Sequence, residues 1–203
     1  MNFGKEDLNK RVEKIKTENI KLFVKYAVDR LPDYFWTIPA STSGKYHGGE
    51  SLLSHVLCCV DMGFFVCEQQ KNWTQLKKDQ LIAALLLHDG WRCGDGLDKY
   101  TKEDFENGRC IESSIDLPKT NKNHAKIAFY KLFDLKEELI STSQITTSSV
   151  MELVDILEGI YWHMGPWTEG DTFDFMLPYD SVIVQVHNID YHQTKLSEIL
   201  KNR

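Results

Sequence analysis

Apolar residues recur along most of this chain at steps of three to five, which is the spacing of amphipathic helices. The first such series predicts a helix that ends before Pro32, with apolar positions at Leu8, Val12, Ile15, Ile20, Phe23 and Ala27. Further helices are predicted over about residues 50–67, from Thr74 to about residue 88, from near Asn123, from about Ser149, and over about residues 179–201. No period-two pattern, repeat or low-complexity segment interrupts them, so the sequence predicts an all-α fold.

One long segment lacks this periodicity. Between residues 95 and 123, charged residues mix with Asn, Ser and Pro118 over a length that exceeds ordinary connections. We interpret this excursion as an insertion or lid that could cover an active site. The chain of 203 residues is long enough to bury a core without disulfides. We predict a single domain over residues 1–203, with its core at about residues 20–200.

Composition and charge exclude several classes of protein. Hydrophobic residues make up 42% and charged residues 27% of the chain, which argues against disorder and against a membrane protein. The longest apolar run, residues 81–87, is too short to span a bilayer, so a cytoplasmic location is expected. A net charge of −6 with scattered Lys and Arg argues against a long nucleic acid as partner. The five cysteines form no C-x-x-C pair and are interpreted as free thiols: Cys58, Cys59, Cys67, Cys93 and Cys110.

The candidate chemistry begins with His88 and Asp89. They follow the apolar run at residues 82–87 and precede Gly90, so an imidazole and a carboxylate stand together at the end of a buried helix. Such a pair is a weak signal alone, because a histidine at a helix C-terminus can simply interact with the helix dipole. His55 lies in the middle of an apolar helix, where an imidazole without a partner is costly to bury, so it is either a core histidine with a hydrogen-bond partner or a ligand.

Three more polar residues fall on predicted helices. His124 begins one helix, His163 ends another, and Asp190 lies in the apolar face of the last. Each helix therefore offers one nitrogen or oxygen donor to a common centre. Imidazole together with carboxylate suits Mn, Fe, Co, Ni or Zn better than Mg.

Five short segments occur in a set order between residues 46 and 191. They are GESLLSH at residues 49–55, LLLHDGWR at 85–92, NHA at 123–125, YWHMGPW at 161–167 and VHNIDY at 186–191. This set resembles the HD-domain superfamily of metal-dependent phosphohydrolases, whose signature is a distant His, an adjacent His-Asp and a late Asp on a helical scaffold. The resemblance implies a single helical HD-domain bundle.

The resemblance also implies roles for individual residues. Four of them would bind one metal ion that lowers the pKa of a water facing phosphorus: His55, His88, Asp89 and Asp190. His124 and His163 would either complete a second metal site, with Asp89 as a bridge, or contact the phosphate or leaving oxygen. Arg92 could offer planar donors to the phosphate. The candidate catalytic residues are therefore Asp89, Arg92, His124 and His163.

The chain departs from common patterns of that superfamily at three places. Arg92 stands where many members have Lys, a single His163 stands where some have paired histidines, and the region at residues 100–124 is expanded. The single His163 slightly favours one tightly held ion over two.

Other candidates have weaker arguments. His47 could approach the mouth of the site from a glycine-rich turn, whereas His187 and His192 are interpreted as structural or exposed. Trp162 and Trp167 could stack on a base, although core packing is the commoner role of tryptophan.

Three functions are compatible with these residues. The leading hypothesis is hydrolysis of a phosphate ester or anhydride in a nucleotide or nucleotide-like small molecule. A second is a phosphodiesterase that acts on cyclic nucleotides or RNA ends, and a third is a non-catalytic nucleotide-binding module that retains the helical shell. A homo-oligomer is compatible with all three.

Overall fold

Eight α-helices form the part of the chain that the computed structural model describes, residues 3–41, 50–168 and 177–201. No strand occurs among these residues, so the predicted all-α fold is confirmed. The helices are α1 (Lys5–Val12), α2 (Glu18–Val28), α3 (Leu52–Gln69), α4 (Gln75–Leu87), α5 (Lys102–Glu106), α6 (His124–Ser141), α7 (Met151–Tyr161) and α8 (Val182–Lys201).

Helix α4 lies at the centre of the bundle. It packs against α2, α3, α7 and α8, and every side chain at residues 81–87 is buried. As predicted, Thr74 caps its N-terminus: the hydroxyl accepts a hydrogen bond from the Lys77 N–H at 3.2 Å. Because α4 is surrounded by other helices, its C-terminal end places His88 and Asp89 in the interior of the protein.

The N-terminal region differs from the prediction. The single helix expected before Pro32 is instead two helices, α1 and α2, separated by residues 13–17. Asp79 of α4 explains the break. Its Oδ2 accepts hydrogen bonds from the backbone N–H groups of Lys16 and Thr17, at 3.1 and 2.8 Å, and from the Thr17 hydroxyl at 2.7 Å. A carboxylate that pairs with these donors stabilises a new helix start and replaces the bonds of a continuous helix.

Helix α3 is the second buried element, and it begins after Ser51, whose hydroxyl accepts a hydrogen bond from the Ser54 N–H at 3.1 Å. Among the described helices, α3 alone is long and apolar enough to cross a membrane by length and composition, and 50% of that stretch is buried in the fold. Core helices pass the same test, so this is weak evidence for a membrane span. The cytoplasmic location stays a prediction.

The excursion at residues 95–123 contains α5 and a 3-10 turn at Glu112–Ser114. An antiparallel bridge between Lys99 and Pro118 joins its two arms. At its end, the Asn121 N–H donates a hydrogen bond to the Arg92 carbonyl oxygen at 2.9 Å. The excursion therefore positions the start of α6, and its role as a lid stays a prediction.

Candidate metal centre

Six side chains with nitrogen or carboxylate ligand atoms meet where five helices converge. They are His55 on α3, His88 and Asp89 at the end of α4, His124 at the start of α6, His163 after α7, and Asp190 on α8. Five of the six are at most 3% exposed, and the Asp190 side chain is 17% exposed. The structure brings together every residue that the sequence predicts as a metal ligand, while their roles as ligands stay predictions.

Hydrogen bonds to the backbone orient three of the histidines. The Nδ1–H groups of His88, His124 and His163 each donate to the carbonyl oxygen three residues earlier, at 2.8, 2.9 and 2.7 Å. Each Nε2 therefore faces the centre. Histidines that bind metals commonly have such a partner on the other ring nitrogen, because it fixes the tautomer and the ring orientation.

One group of ligand atoms surrounds His88 Nε2. Asp89 Oδ2 lies 3.7 Å from it and Asp190 Oδ1 lies 3.8 Å from it. His55 Nε2 is 3.0 Å from Asp190 Oδ1 and 3.9 Å from Asp89 Oδ2. These separations suit ligands around one ion, since metal–nitrogen and metal–oxygen bonds of about 2 Å place neighbouring ligands about 3–4 Å apart.

A second group uses the other oxygen of Asp89. Its Oδ1 lies 3.2 Å from His124 Nε2 and 3.7 Å from His163 Nε2. The two imidazole nitrogens are themselves 3.1 Å apart. Nitrogens at this distance need a proton or a cation between them, because two lone pairs would repel each other. Asp89 is thus in a position to bridge two sites.

Two buried atoms of the centre have no hydrogen-bond partner among the described residues, His88 Nε2 and Asp89 Oδ1. Leaving a buried polar atom unpaired costs roughly 1–3 kcal/mol. A divalent cation would satisfy both atoms, and the set of imidazoles and carboxylates fits such an ion. These donors do not identify the metal.

Burial and neighbouring charges set the protonation of these groups. Burial lowers the pKa of His88 to about 4 and also lowers the pKa of His124. Burial opposes ionisation of Asp89, but Arg92 and the adjacent histidines hold its pKa well below the ordinary value. The neutral imidazoles of His88 and His124 and the ionised carboxylate are the protonation states that metal binding requires. Burial opposes the charged form of His55 and His163, but neighbouring acidic groups raise the pKa of both above the ordinary value. Metal binding would require these two rings to be neutral as well.

Arg92 lies directly against Asp89, and its Nη1 donates a hydrogen bond to Asp89 Oδ2. The side chain is 16% exposed and reaches a cavity beside the centre. Its Nε has no hydrogen-bond partner within the described residues. The guanidinium therefore has one donor that no described residue uses.

The cavity has a volume of about 380 Å³. Side chains of the centre and side chains outside it line it together: Arg92, His124, His163, Met164, Trp167, His187, Asp190, Tyr191, Thr194 and Lys195. The rings of Trp167 and Tyr191 are nearly parallel, with centroids 6.1 Å apart and planes 10° apart, and they are 60% and 41% exposed. In the described part of the chain, no residue of the excursion lines this cavity.

Cys59 is the residue of the centre that sequence reasoning missed. It lies one helical turn after His55 on α3, is fully buried, and belongs to the same cluster of potential ligand atoms. The interval of four residues between the two was visible in the sequence. The sequence predicts only a free thiol at Cys59, because buried cysteines commonly pack as small apolar residues.

The remaining candidates lie in different surroundings. His187 is half-buried, and its Nδ1 donates to the His163 carbonyl oxygen at 2.8 Å, while His192 is exposed. Trp162 packs on Tyr161, with centroids 4.9 Å apart. His47 lies outside the described residues.

A scan against protein-family models and searches of curated proteins and of solved structures found no match to this chain. Any assignment of function therefore depends on the chemistry of the centre and of its cavity.

Proposed function

We propose that this protein is a metal-dependent phosphohydrolase of the HD-domain type. The position of Asp89 carries the proposal, because one carboxylate oxygen faces His55 and His88 while the other faces His124 and His163. This arrangement supports a centre for one or two divalent ions at the edge of a cavity. The donor set favours Mn, Co, Fe, Ni or Zn over Mg.

A divalent ion in this centre would supply Lewis-acid stabilisation of a phosphoryl group and would acidify a water for attack on phosphorus. The protein's own contribution is orientation. Backbone carbonyl oxygens hold the rings of His88, His124 and His163, so little reorganisation is needed when a substrate binds.

Arg92 would bind the phosphate. Its guanidinium lies between Asp89 and the cavity, so it can neutralise charge on the phosphoryl oxygens while it remains paired with a carboxylate. If His124 and His163 bind no second ion, their Nε2 atoms would face the same phosphate or the leaving oxygen.

The cavity supports a nucleotide or nucleotide-like molecule as substrate. Its volume of about 380 Å³ lies near the lower end of the roughly 300–1,000 Å³ typical of ligand sites, so it suits a small molecule. The exposed faces of Trp167 and Tyr191 offer a surface on which a flat base can stack.

A phosphodiesterase is the second candidate, and the pairing of His124 with His163 around Asp89 Oδ1 favours it, because a second ion would stabilise the leaving oxygen of a diester. A non-catalytic nucleotide-binding module would retain the cavity, but it would have no need for two buried ligand atoms that no described residue pairs with.

The decisive experiment is metal analysis of the purified protein followed by assays of phosphate release with Mn, Co and Mg. The panel should contain nucleoside mono-, di- and triphosphates, cyclic nucleotides and short RNA. Release from monoesters or anhydrides supports the leading proposal, whereas cleavage of cyclic nucleotides or RNA ends alone supports the diesterase. Binding of nucleotides without turnover of any of them would leave the non-catalytic module.

Replacement of Asp89 tests the centre itself. Asp89→Ala should abolish turnover and most metal binding, because it removes oxygens from both groups of ligand atoms. His192→Ala and Asp134→Ala are controls on exposed residues of α8 and α6, and both should keep the parent activity. Parent-level activity in Asp89→Ala would exclude the proposed role.

A further inference from the structure

The buried thiol of Cys59 lies beside the first group of ligand atoms, the one around His88 Nε2. The other atoms of that group are nitrogens and oxygens, so this sulfur would be its soft donor. Its Sγ lies 3.7 Å from His55 Nε2 and 4.0 Å from His55 Nδ1. The side chain is completely buried, so its environment is that of the centre and not of solvent.

A second observation points from Cys59 to a ligand. Potential ligand atoms of His55, Cys59, His88 and Asp190 all lie within 4.8 Å of one another. Within this group, His88 Nε2 is fully buried and has no hydrogen-bond partner among the described residues. One cation placed among the four would contact this unpaired nitrogen and the sulfur together.

The spacing agrees with shared coordination. Metal–sulfur and metal–nitrogen bonds of about 2.3 and 2.0–2.1 Å at a tetrahedral angle place the two ligand atoms about 3.6 Å apart. The observed separation of Cys59 Sγ from His55 Nε2 is 3.7 Å.

We propose that the Cys59 thiolate is a ligand of the ion held by His55, His88 and Asp190. This inference rests on the metal centre of the proposed function but not on hydrolysis. On binding, the S–H bond breaks, a sulfur–metal bond forms, and the proton passes to solvent, with no change of oxidation state. A thiolate ligand selects softer ions, so the site prefers Zn and Co over Mn and Mg.

Cobalt loading of the intact protein tests the ligand directly. A thiolate bound to Co²⁺ absorbs in the near ultraviolet by charge transfer, so the parent protein should gain this band with one Co²⁺ per chain. Cys59→Ser should lose the band. Cys58→Ser is the matched control, since it changes the adjacent, half-buried cysteine, and it should keep the band. A band that survives in Cys59→Ser, or no band in the parent, would overturn the inference.

X-ray absorption of the Zn-loaded parent detects a zinc–sulfur bond without any substitution. The test therefore stands even if Cys59→Ser fails to fold. One sulfur at about 2.3 Å from Zn is expected. A first shell of only nitrogen and oxygen would refute sulfur ligation.

Metal competition measures the selectivity. Cys59→Ser should lower the affinity for Zn²⁺ by roughly tenfold or more, since mutation of residues that only hydrogen-bond to metal ligands already costs about 10–100-fold in affinity. The affinity for Mn²⁺ should hardly change. Equal losses of affinity for Zn²⁺ and Mn²⁺ would contradict the proposed preference of the site for softer ions.

The outcomes separate this inference from the proposed function. A zinc–sulfur bond in a protein that releases no phosphate from any substrate would keep the ligand and reject the hydrolase. Phosphate release by a protein whose metal has no sulfur ligand would keep the hydrolase and reject Cys59 as a ligand.

Discussion

Asp89 occupies the point at which the two groups of ligand atoms meet. Its Oδ2 is paired with Arg92 and lies near His88, whereas its Oδ1 lies near His124 and has no hydrogen-bond partner among the described residues. Whether His124 and His163 bind a second ion together with this oxygen or contact the substrate instead depends on how strongly the second group attracts a cation.

Metal stoichiometry separates these two roles. We expect one tightly bound ion in protein purified without added metal. The sequence resembles a superfamily in which some two-metal members have paired histidines, and this chain has the single His163 at that place. His163→Ala should then keep that ion and slow phosphate release by roughly a hundredfold, since contacts made only in the transition state are lost. Two tightly held ions about 3.5–4 Å apart would show that this expectation is wrong.

At the scale of elements, the turn after α7 connects the centre to the wall of the cavity. Gly165 lies between His163 and Trp167 with φ +57°, a conformation that side chains disfavour. A methyl group there would lie 2.5 Å from His187 Cε1 and 2.8 Å from His187 Nδ1. The tight approach positions His187, whose ring supports the His163 backbone.

Gly165→Ala should therefore damage both stability and activity. The positive φ costs about 1–2 kcal/mol, and displacement of His187 adds roughly 1–3 kcal/mol. Gly108→Ala is the matched control, because Gly108 has φ +68° but nothing within 4 Å of the added methyl. Urea unfolding should show the larger loss for Gly165→Ala, and only that variant should lose kcat/KM. Similar losses in both variants would leave no role for the His187 contact.

Asp104 holds the excursion together through α5 and Lys119. It accepts hydrogen bonds from the N–H and hydroxyl of Thr101, at 2.9 and 3.0 Å, and pairs with Lys119 Nζ at 3.1 Å. The Thr101 N–H and Lys119 lower the pKa of Asp104 below its ordinary value. A carboxyl whose pKa is depressed by folding stabilises the protein at pH values above the pKa that the group has in the unfolded chain. This stabilisation is lost as the pH falls through the pKa that the group has in the folded protein.

The pH dependence of Asp104→Asn tests this role. At pH 7 the variant should have a lower free energy of unfolding than the parent, because the amide lacks the charge that pairs with Lys119. The difference should shrink as pH falls below about 4, the ordinary aspartate pKa, because the carboxyl then takes up a proton in the unfolded chain while it is still ionised in the folded protein. Parallel unfolding measurements from pH 7 to pH 3 check the trend. A difference that is constant with pH would argue against an electrostatic role.

At the scale of the whole molecule, the centre joins five helices that are distant in sequence. Ligand atoms from α3, the end of α4 and α8 form one group, and those from the end of α4, the start of α6 and the turn after α7 form the other, with Asp89 near both. An ion held there would crosslink most of the bundle, so it should stabilise the folded chain as a whole.

Metal removal should accordingly lower the melting temperature. A ligand at a hundred times its Kd adds about 2.7 kcal/mol of stability, and each kcal/mol shifts Tm by about 2–4 °C for a chain of this size. Addition of Zn²⁺ or Co²⁺ to chelator-treated protein should therefore raise Tm by about 5–10 °C. Asp89→Ala should show a much smaller shift, and no shift in the parent with any ion would refute the centre.

Local patterns in the sequence were sufficient to predict most of the helices and the candidate residues of the centre, but not the division into α1 and α2 or the short helix α5. Period 3.6 and the Thr74 cap are local signals, so α4 could be predicted with its N-terminus. The isolated polar residues His55 and Asp190 were detectable because an apolar face makes each conspicuous.

Contacts between residues that are distant in the sequence depend on the tertiary structure, because no local sequence pattern encodes them. The break between α1 and α2 depends on Asp79, which lies more than sixty positions away along the chain. The same holds for the pairing of His124 with His163, the stack of Trp167 on Tyr191, and the approach of Cys59 to the ligand atoms. The physical reason is that periodicity fixes which face of a helix is buried, whereas the distance between two side chains depends on how separate helices pack.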